Sequence, residues 1–489
     1  MRYLPFLLLI AMSGCESEEP AADVILSNGY IYTVDSTRSV VDSIAIRGNR
    51  IVALGDASAV MEFAGSETDV RDLEGNMVLP GLHDMHIHAM GSVQPDVCDI
   101  GRESLTLDEL VEFLRSCLDK YQSAADEWLP VIGWNPFEGN QPSANYATIR
   151  AALDAVSQEH PIILWGFDAH HGAANSLALA SPDVPINATT LQSEYVHIRP
   201  LIEVDEDGNP SGGINEEARL MLRDMDDDFL GVAAPSEWIM PRLAEGLARS
   251  GITSIQDPAG TAPILDHYLW LARSGEMTFR LRMALRLDLY DPATARITKS
   301  PTDAVDEVLA LRDSAQGVPF ICADAVKIFA DDVLEGDPYS TPPTLPNAAM
   351  LDGFLRPEFE IDENTGIANV VGYSPIDSYA AGYTGELVHE PEVLNELVSL
   401  ATTADFHVHA HTIADTSVRA ISDAFELAHE DAVSRGLTQS IAHLQIAKTQ
   451  DVRRLGELGV FVAFTYMWAN PEPPYEMVVI PFIDEIIVG

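Results

Sequence analysis

Hydrophobic and polar positions change rhythm near residue 83. Upstream, apolar and polar residues alternate in short runs, "DVILSNGYIYTVD", "SVVDSIAIRGNRIVALGD" and "TDVRDLEGNMVLPG", broken by Asn and Gly. Alternation with period two and turn residues between runs predicts a small sandwich-like β-sheet domain over 22–82. Downstream, apolar runs end in polar residues at 251–260, 279–290, 324–332, 405–415, 440–445 and 460–467. Stretches of helical period, such as "SEWIMPRLAEGLARS" and "DTSVRAISDAFELAHEDAVSRG", lie between them. Strands alternating with helices predict an α/β fold with a parallel sheet, most simply a (β/α)8-type TIM barrel over 83–489. The "DMHIH" run brings the strand count to seven. Residues 92–235 break the rhythm and read as an insertion after the first strand.

Residues 1–21 follow neither rhythm. Arg2 precedes the apolar run "YLPFLLLIAM", small residues follow, and then Cys15. The run is too short to span a bilayer and reads as an export signal. "MSGC" resembles a bacterial lipobox, which would make Cys15 the lipidated N-terminus of an exported lipoprotein, periplasmic or on the outer membrane. "ESEEPAA" would then be a tether. The alternative is an ordinary cleaved signal with an incidental cysteine.

Composition narrows the partners. The 489 residues carry 28 basic and 76 acidic side chains, a formal net charge of -48. Such a field repels phosphate backbones and anionic lipid, so nucleic acid is excluded and membrane contact is expected only through the lipid anchor. The expected partner is a small-molecule substrate. Cysteine is sparse. Cys98 and Cys117 could pair in an oxidising compartment or stay as two thiols, and no CxxC suggests a thiolate metal site.

Candidate chemistry collects at the strand ends. In a strand, His86 and His88 at i and i+2 share a face, while His83 faces away and reads as a hydrogen-bonded turn residue. Barrels place reactive groups at the C-terminal ends of their strands. The polar residues there are His86, His88, Asp257, Lys327, His411 and His443, a set suited to a divalent metal such as zinc. Asp257 either supports the site or caps the next helix.

These segments resemble the metal-dependent amidohydrolase superfamily, in particular its family 3 branch of YtcJ-like proteins. "LPGLHDMHIH", "DAVKIFADDVLEG", "HVHAHTIADTSVRAISDAFE" and "SIAHLQ" are similar to that family's barrel strands. Within the insertion, "WGFDAHHGAANSLALA" and "GNPSGGINEEA" are similar to two further segments. The resemblance implies His86, His88, His411 and His443 as ligands of one or two zinc ions, with Lys327 carboxylated and bridging. It implies hydrolysis of a non-peptide carbon–nitrogen bond by metal-activated water. It places Asp168, His170 and Glu216 near substrate and leaves His171 without a role; Trp134 is expected to shape the pocket. His409 reads as lining and His407 as structural. In the family an eighth strand follows, with an aspartate that shuttles protons. No such segment occurs before Gly489, so the expectation is a barrel lacking its eighth strand, with no residue assigned to that step. Asp331, Asp332 and Asp415 are the carboxylates nearest in sequence that could substitute. The rival reading is a non-catalytic metal- or ligand-binding lipoprotein, or an inactive truncated amidohydrolase.

Overall fold

The computed structural model describes residues 21–465 and Val479, apart from 94–95, 122–123, 137–138, 169, 216, 224–233, 292–293, 295, 335–354, 362–367 and 376–386. The chain divides into two compact units, Met1–Leu82 and His83–Gly489. In the first, Val24–Ser27, Ser43–Arg47, Arg50–Gly55 and Asp69–Asp72 form a four-stranded sheet. Tyr30–Tyr32, Val40–Val41 and Met77–Val78 form a three-stranded one. Ile25 and Ala45 are fully buried, packing with Ala22 and Val60 in a small core.

The second unit is built on a seven-stranded sheet whose spatial order follows the chain. Its strands are β1 (Leu82–Asp84), β2 (Ile252–Gly260), β3 (Arg280–Arg286), β4 (Ile321–Phe329), β5 (His407–Thr412), β6 (Gln439–His443) and β7 (Phe461–Ala463). From β2 to β7 each neighbouring pair is parallel. Among the described residues the sheet is a curled half-barrel, with β1 and β7 at its edges. Helices α1 (Ser236–Arg249), α2 (Ala262–Ser274), α3 (Pro301–Ala315), α4 (Pro391–Thr403), α5 (Asp415–Arg435) and α6 (Thr449–Glu457) alternate with the strands. Local chemistry sets their ends. Ser300 and Asp303 form a capping box at the start of α3, with Pro301 in the first turn. Gly275 and Gly436 end α2 and α5 in the left-handed conformation that glycine adopts without strain.

β6 is buried at every position, and its polar Gln439 is satisfied there by donating to the Phe425 carbonyl. Phe279, Phe406 and Phe425 are each almost completely buried in the core between sheet and helices. Truncating any of them to alanine should cost about 3–5 kcal/mol.

The structure corrects the first strand. The expected "DMHIH" strand stops at Asp84, and His86 and His88 lie beyond it. The region expected as an insertion carries its own six-stranded mixed sheet. Cys98–Asp99, Leu129–Trp134 and Ile162–Gly166 run parallel; His171–Ala174, Pro210–Asn215 and Ile202–Val204 continue antiparallel. Helices Leu107–Tyr121 and Ile149–Val156 bury Leu110, Leu114 and Leu153 against this sheet. Cys98 and Cys117, left open by the sequence, form a disulfide that ties the sheet's edge strand to the end of the first helix.

At a sequence separation of 19, the crosslink should contribute about 3 kcal/mol through the unfolded chain. Urea unfolding of the Cys98→Ser/Cys117→Ser variant should show that loss, and reduction of the unmodified protein should reproduce it.

Candidate metal centre

The C-terminal ends of β1, β4, β5 and β6 bring nitrogen bases together. The register explains the grouping. Lys327 on β4 lies opposite His409 on β5, Phe329 lies opposite His411, and Thr412 lies opposite His443 on β6. His86 and His88 arrive from the bend after β1, where the backbone amide of His86 donates to Asp84 Oδ1 at 3.0 Å. The His86 ring centroid lies 5.6 Å from that of His88, 5.0 Å from His409 and 4.8 Å from His443. His411 and His443 approach to 4.6 Å. The pairing of His86 and His88 read from strand parity is thus achieved by a bend.

Burial and nearby positive charge keep the imidazoles uncharged and bring the lysine amine close to neutrality. Lys327 is 1% exposed. Burial, and then the nearby Arg286 guanidinium, lower its pKa to about 7, with Asp257 opposing them. Burial and Lys327 lower His411 to about 3. The same two causes push His86 and His409 well below the ordinary imidazole range; for His443 they are burial and then His411. His88 keeps a solvent-exposed side, yet crowding around its ring, together with Lys327 and Arg286, lowers it to about 4.

Neighbouring groups fix the rings. His411 Nε2 is 3.0 Å from the backbone carbonyl of Asp332, which can only accept, so Nδ1 of His411 carries the lone pair. His443 Nδ1 is 2.8 Å from Thr465 Oγ1. His407 bonds Thr438 through its hydroxyl and its amide, a structural role. Asp257 lies inside β2 and is not a helix cap; Thr261 holds that position for α2. The Asp257 carboxylate, 1% exposed, accepts from Tyr268 Oη at 2.7 Å.

The carboxylates considered as substitutes are placed differently. Asp331 accepts from the amides of Ile413 and Ala414 with its two oxygens, tying β4 to the start of α5. Asp415 lies 3.5 Å from Lys448 Nζ.

The donor set fits a divalent metal. Neutral imidazoles are good ligands. His86 Nε2 is buried and has no hydrogen-bond partner among the described residues. The rings nevertheless close on one another: among the described residues no three His, Cys, Asp or Glu side chains stand in a geometry that would hold a metal ion as they are.

The residues expected near substrate sit in the insertion. Asp168 bonds the His171 ring through Nδ1 and accepts from the amides of His170 and His171. Arg219 donates to the His171 carbonyl at 3.4 Å and lies over Trp165. His171, which the sequence left without a role, is therefore part of a buried polar group. Trp134 is 8% exposed and donates through Nε1 to Asn140 at 3.1 Å. Glu216 lies outside the described residues. Sequence reading also passed over Tyr268, Arg286, Ser440 and Thr465. Arg286 and Thr465 lie at or after strand ends, whereas Tyr268 lies within α2 and Ser440 at the start of β6, where local pattern gives no signal.

Comparison with known proteins bears on this arrangement. The model of the amidohydrolase family matches residues 69–479. The chain belongs to that family. It is 25% identical to the "Exoenzymes regulatory protein AepA" of Pectobacterium carotovorum subsp. carotovorum, over 94% of this chain and 89% of that one. It is 28% identical to the "N-substituted formamide deformylase" of Arthrobacter pascens, over 53% of this chain and 47% of that one. Among solved structures, an uncharacterized metal-dependent hydrolase from Pyrococcus horikoshii superposes with a TM-score of 0.60 at 18% identity, covering 95% of this chain and 78% of that one. That likeness shows a shared fold. Hydrolase character follows from family membership.

The insertion's buried Asp168 carboxylate gives a prediction on pH. Burial alone would raise the Asp168 carboxyl; the His171 ring, and after it His170 and Arg219, outweigh this and hold it well below the usual carboxylate range. A carboxyl depressed on folding stabilises the protein above its unfolded pKa, and the stabilisation is lost as pH falls through the folded value. Asp168→Asn should cost about 3 kcal/mol near pH 7 by leaving His171 and Arg219 without their buried partner. The difference from the unmodified protein should shrink as pH drops below about 4. Chemical denaturation at a series of pH values checks both statements.

Proposed function

We propose that this amidohydrolase-family chain is a metal-dependent hydrolase that cleaves a carbon–nitrogen bond of the non-peptide amide type in a small molecule. The observation that carries the reading is the gathering of His86, His88, His411, His443 and a near-neutral Lys327 at the C-terminal end of one parallel sheet. The name of the formamide deformylase, part of which this chain matches, supports the bond class.

In this reading His86, His88, His411 and His443 hold one or two divalent ions, zinc by ligand preference. Lys327 holds them as well once carboxylated. Its neutral amine would attack CO2, forming an N–C bond as one C=O π pair moves onto oxygen and the nitrogen gives its proton to water, leaving a carbamate anion. An amine with a pKa of about 7 has enough neutral form at physiological pH for that step; an ordinary lysine has little. When bound, the metal supplies an acidified water at neutral pH and polarises a carbonyl.

The protein's own groups set the geometry. The Asp332 carbonyl and Thr465 hydroxyl orient His411 and His443. Tyr268 holds Asp257 in the interior near Lys327. Trp134, Asp168, His170 and Glu216 are the residues assigned to contact with substrate. Asp331 is committed to the backbone of α5, so no proton-shuttling step is assigned to it.

The test is metal content of the purified chain by elemental mass spectrometry, with turnover of N-formyl and N-acyl amines. We expect at least one equivalent of zinc or a similar ion, and loss of most of it in His411→Ala and in His443→Ala. Turnover should vanish on chelation and return with metal. Absence of metal in the unmodified protein sinks the reading. Metal without turnover of any amide favours a binding protein, a role nearer the regulatory name of AepA.

We also propose export and lipidation at Cys15. The apolar run and "MSGC" support this, and residues 1–20 lie outside the described structure. Expressed in a bacterium, the full chain should partition into detergent-solubilised membranes, and Cys15→Ala should move it to the soluble fraction. Unchanged partitioning would exclude lipid attachment at this cysteine.

A further inference from the structure

We propose that His409 is a positioning residue for His86, and that Ser440, acting through it, fixes which His86 nitrogen is left to bind metal. The inference rests on the reading of the cluster as a metal centre. It adds a role that the sequence did not assign to either residue.

The hydrogen-bond chain has one direction that leaves a usable ligand. Ser440 Oγ lies 3.2 Å from the Val408 carbonyl and 2.8 Å from His409 Nδ1. In that direction the hydroxyl proton goes to the Val408 carbonyl, which can only accept, and the serine oxygen accepts Nδ1–H from His409. A neutral imidazole carries one N–H, so His409 Nε2 is then an acceptor. His86 Nδ1 lies 2.8 Å from that nitrogen and donates to it. The His86 lone pair is thereby placed on Nε2. That nitrogen is buried and lacks a hydrogen-bond partner among the described residues.

The opposite direction fails on two counts. Ser440 would donate to His409, and His409 to His86, placing an N–H on His86 Nε2. The proton would be buried with nothing to accept it, which costs free energy. It would also block the nitrogen as a ligand. The sheet enforces the arrangement, since His409 lies in register with Ser440 on one side and Lys327 on the other, and is 1% exposed. Hydrogen bonds from outer groups to ligating histidines commonly set the tautomer in this manner.

Two measurements on the full chain test this. In the first, the metal-stripped protein is labelled with 15N-histidine and its ring tautomers are read from two-bond 15N–1H correlations, with His86 assigned by loss of its signals in His86→Gln. His86 should be in the Nδ1–H form, and Ser440→Ala should convert it to a mixture. A His86 ring protonated on Nε2 in the unmodified protein overturns the proposal, and so does an unaltered tautomer in Ser440→Ala. The second is the rate of zinc release to excess chelator. His409→Leu should weaken zinc retention by roughly 10–100-fold. His409→Gln, whose side-chain carbonyl can accept from His86, should recover most of it. Release unchanged in His409→Leu overturns the proposal. Loss of a full metal equivalent in both variants makes His409 a ligand and overturns it equally. Unmodified protein that shows the Nδ1–H tautomer but takes up no zinc defeats the hydrolase reading and leaves the tautomer lock standing.

Discussion

The second unit depends on burying several neutral imidazoles beside a lysine amine of lowered basicity in its interior. Lys327 is held at about 7, well below the ordinary lysine range; burying it as an ammonium would therefore cost on the order of 5 kcal/mol. The imidazoles share the constraint. A proton on any one would face the others at close range with little water to screen it. Burial is the largest cause for every member, and a protonated Lys327 further disfavours a proton on His86, His409, His411 or His443. An apolar core does not need such a cluster, since hydrophobic residues of similar volume would pack there without the desolvation cost. The economical physical account is that these lone pairs serve chemistry.

The parallel sheet makes the crowding possible. Its strands are mostly buried, and the polar residues they carry, Lys327 in β4, His409 and His411 in β5 and His443 in β6, lie toward their C-terminal ends. Register then decides which of them meet. The pairing of Lys327 with His409 and of Phe329 with His411 puts amine and rings on adjacent levels. Asp331 contributes from outside the cluster. By accepting two amides at the start of α5 it fixes the turn that follows His411.

Much of this was legible in the sequence, for identifiable reasons. The runs at 324–332, 405–415 and 440–445 are short, largely apolar segments that carry Lys327, His411 and His443, and their positions overlap β4, β5 and β6. The family segments carried His86, His88, Lys327, His411 and His443 to one place. What was not legible depended on contacts across long separations. The partners of His409 and Asp257 are set by register and by a helix face, which local pattern does not encode. Strand parity gave the meeting of His86 and His88 for the wrong reason, because a three-residue β1 ends before both. His171 was passed over because a doubled histidine gives no sign of which ring turns inward; burial against Asp168 made the choice.

The backbone at the end of β6 shows how the rest of the fold sustains the cluster. His443 has φ +80° and Leu444 φ +52°, both in the left-handed region that non-glycine residues rarely occupy. Each such residue costs on the order of 1–3 kcal/mol unless its surroundings over-determine it. Here they do. The Leu444 amide donates to Thr412 at 2.9 Å, the Ile446 amide to Ile413 at 2.9 Å, and the His443 ring is held by Thr465. An extended continuation of β6 would carry the chain on past the cluster. The left-handed step ends the strand at His443, and the ring that results packs within 5 Å of both His86 and His411. Stability from the buried strands of β4 to β6 thus offsets local strain, and that strain fixes where one candidate ligand points.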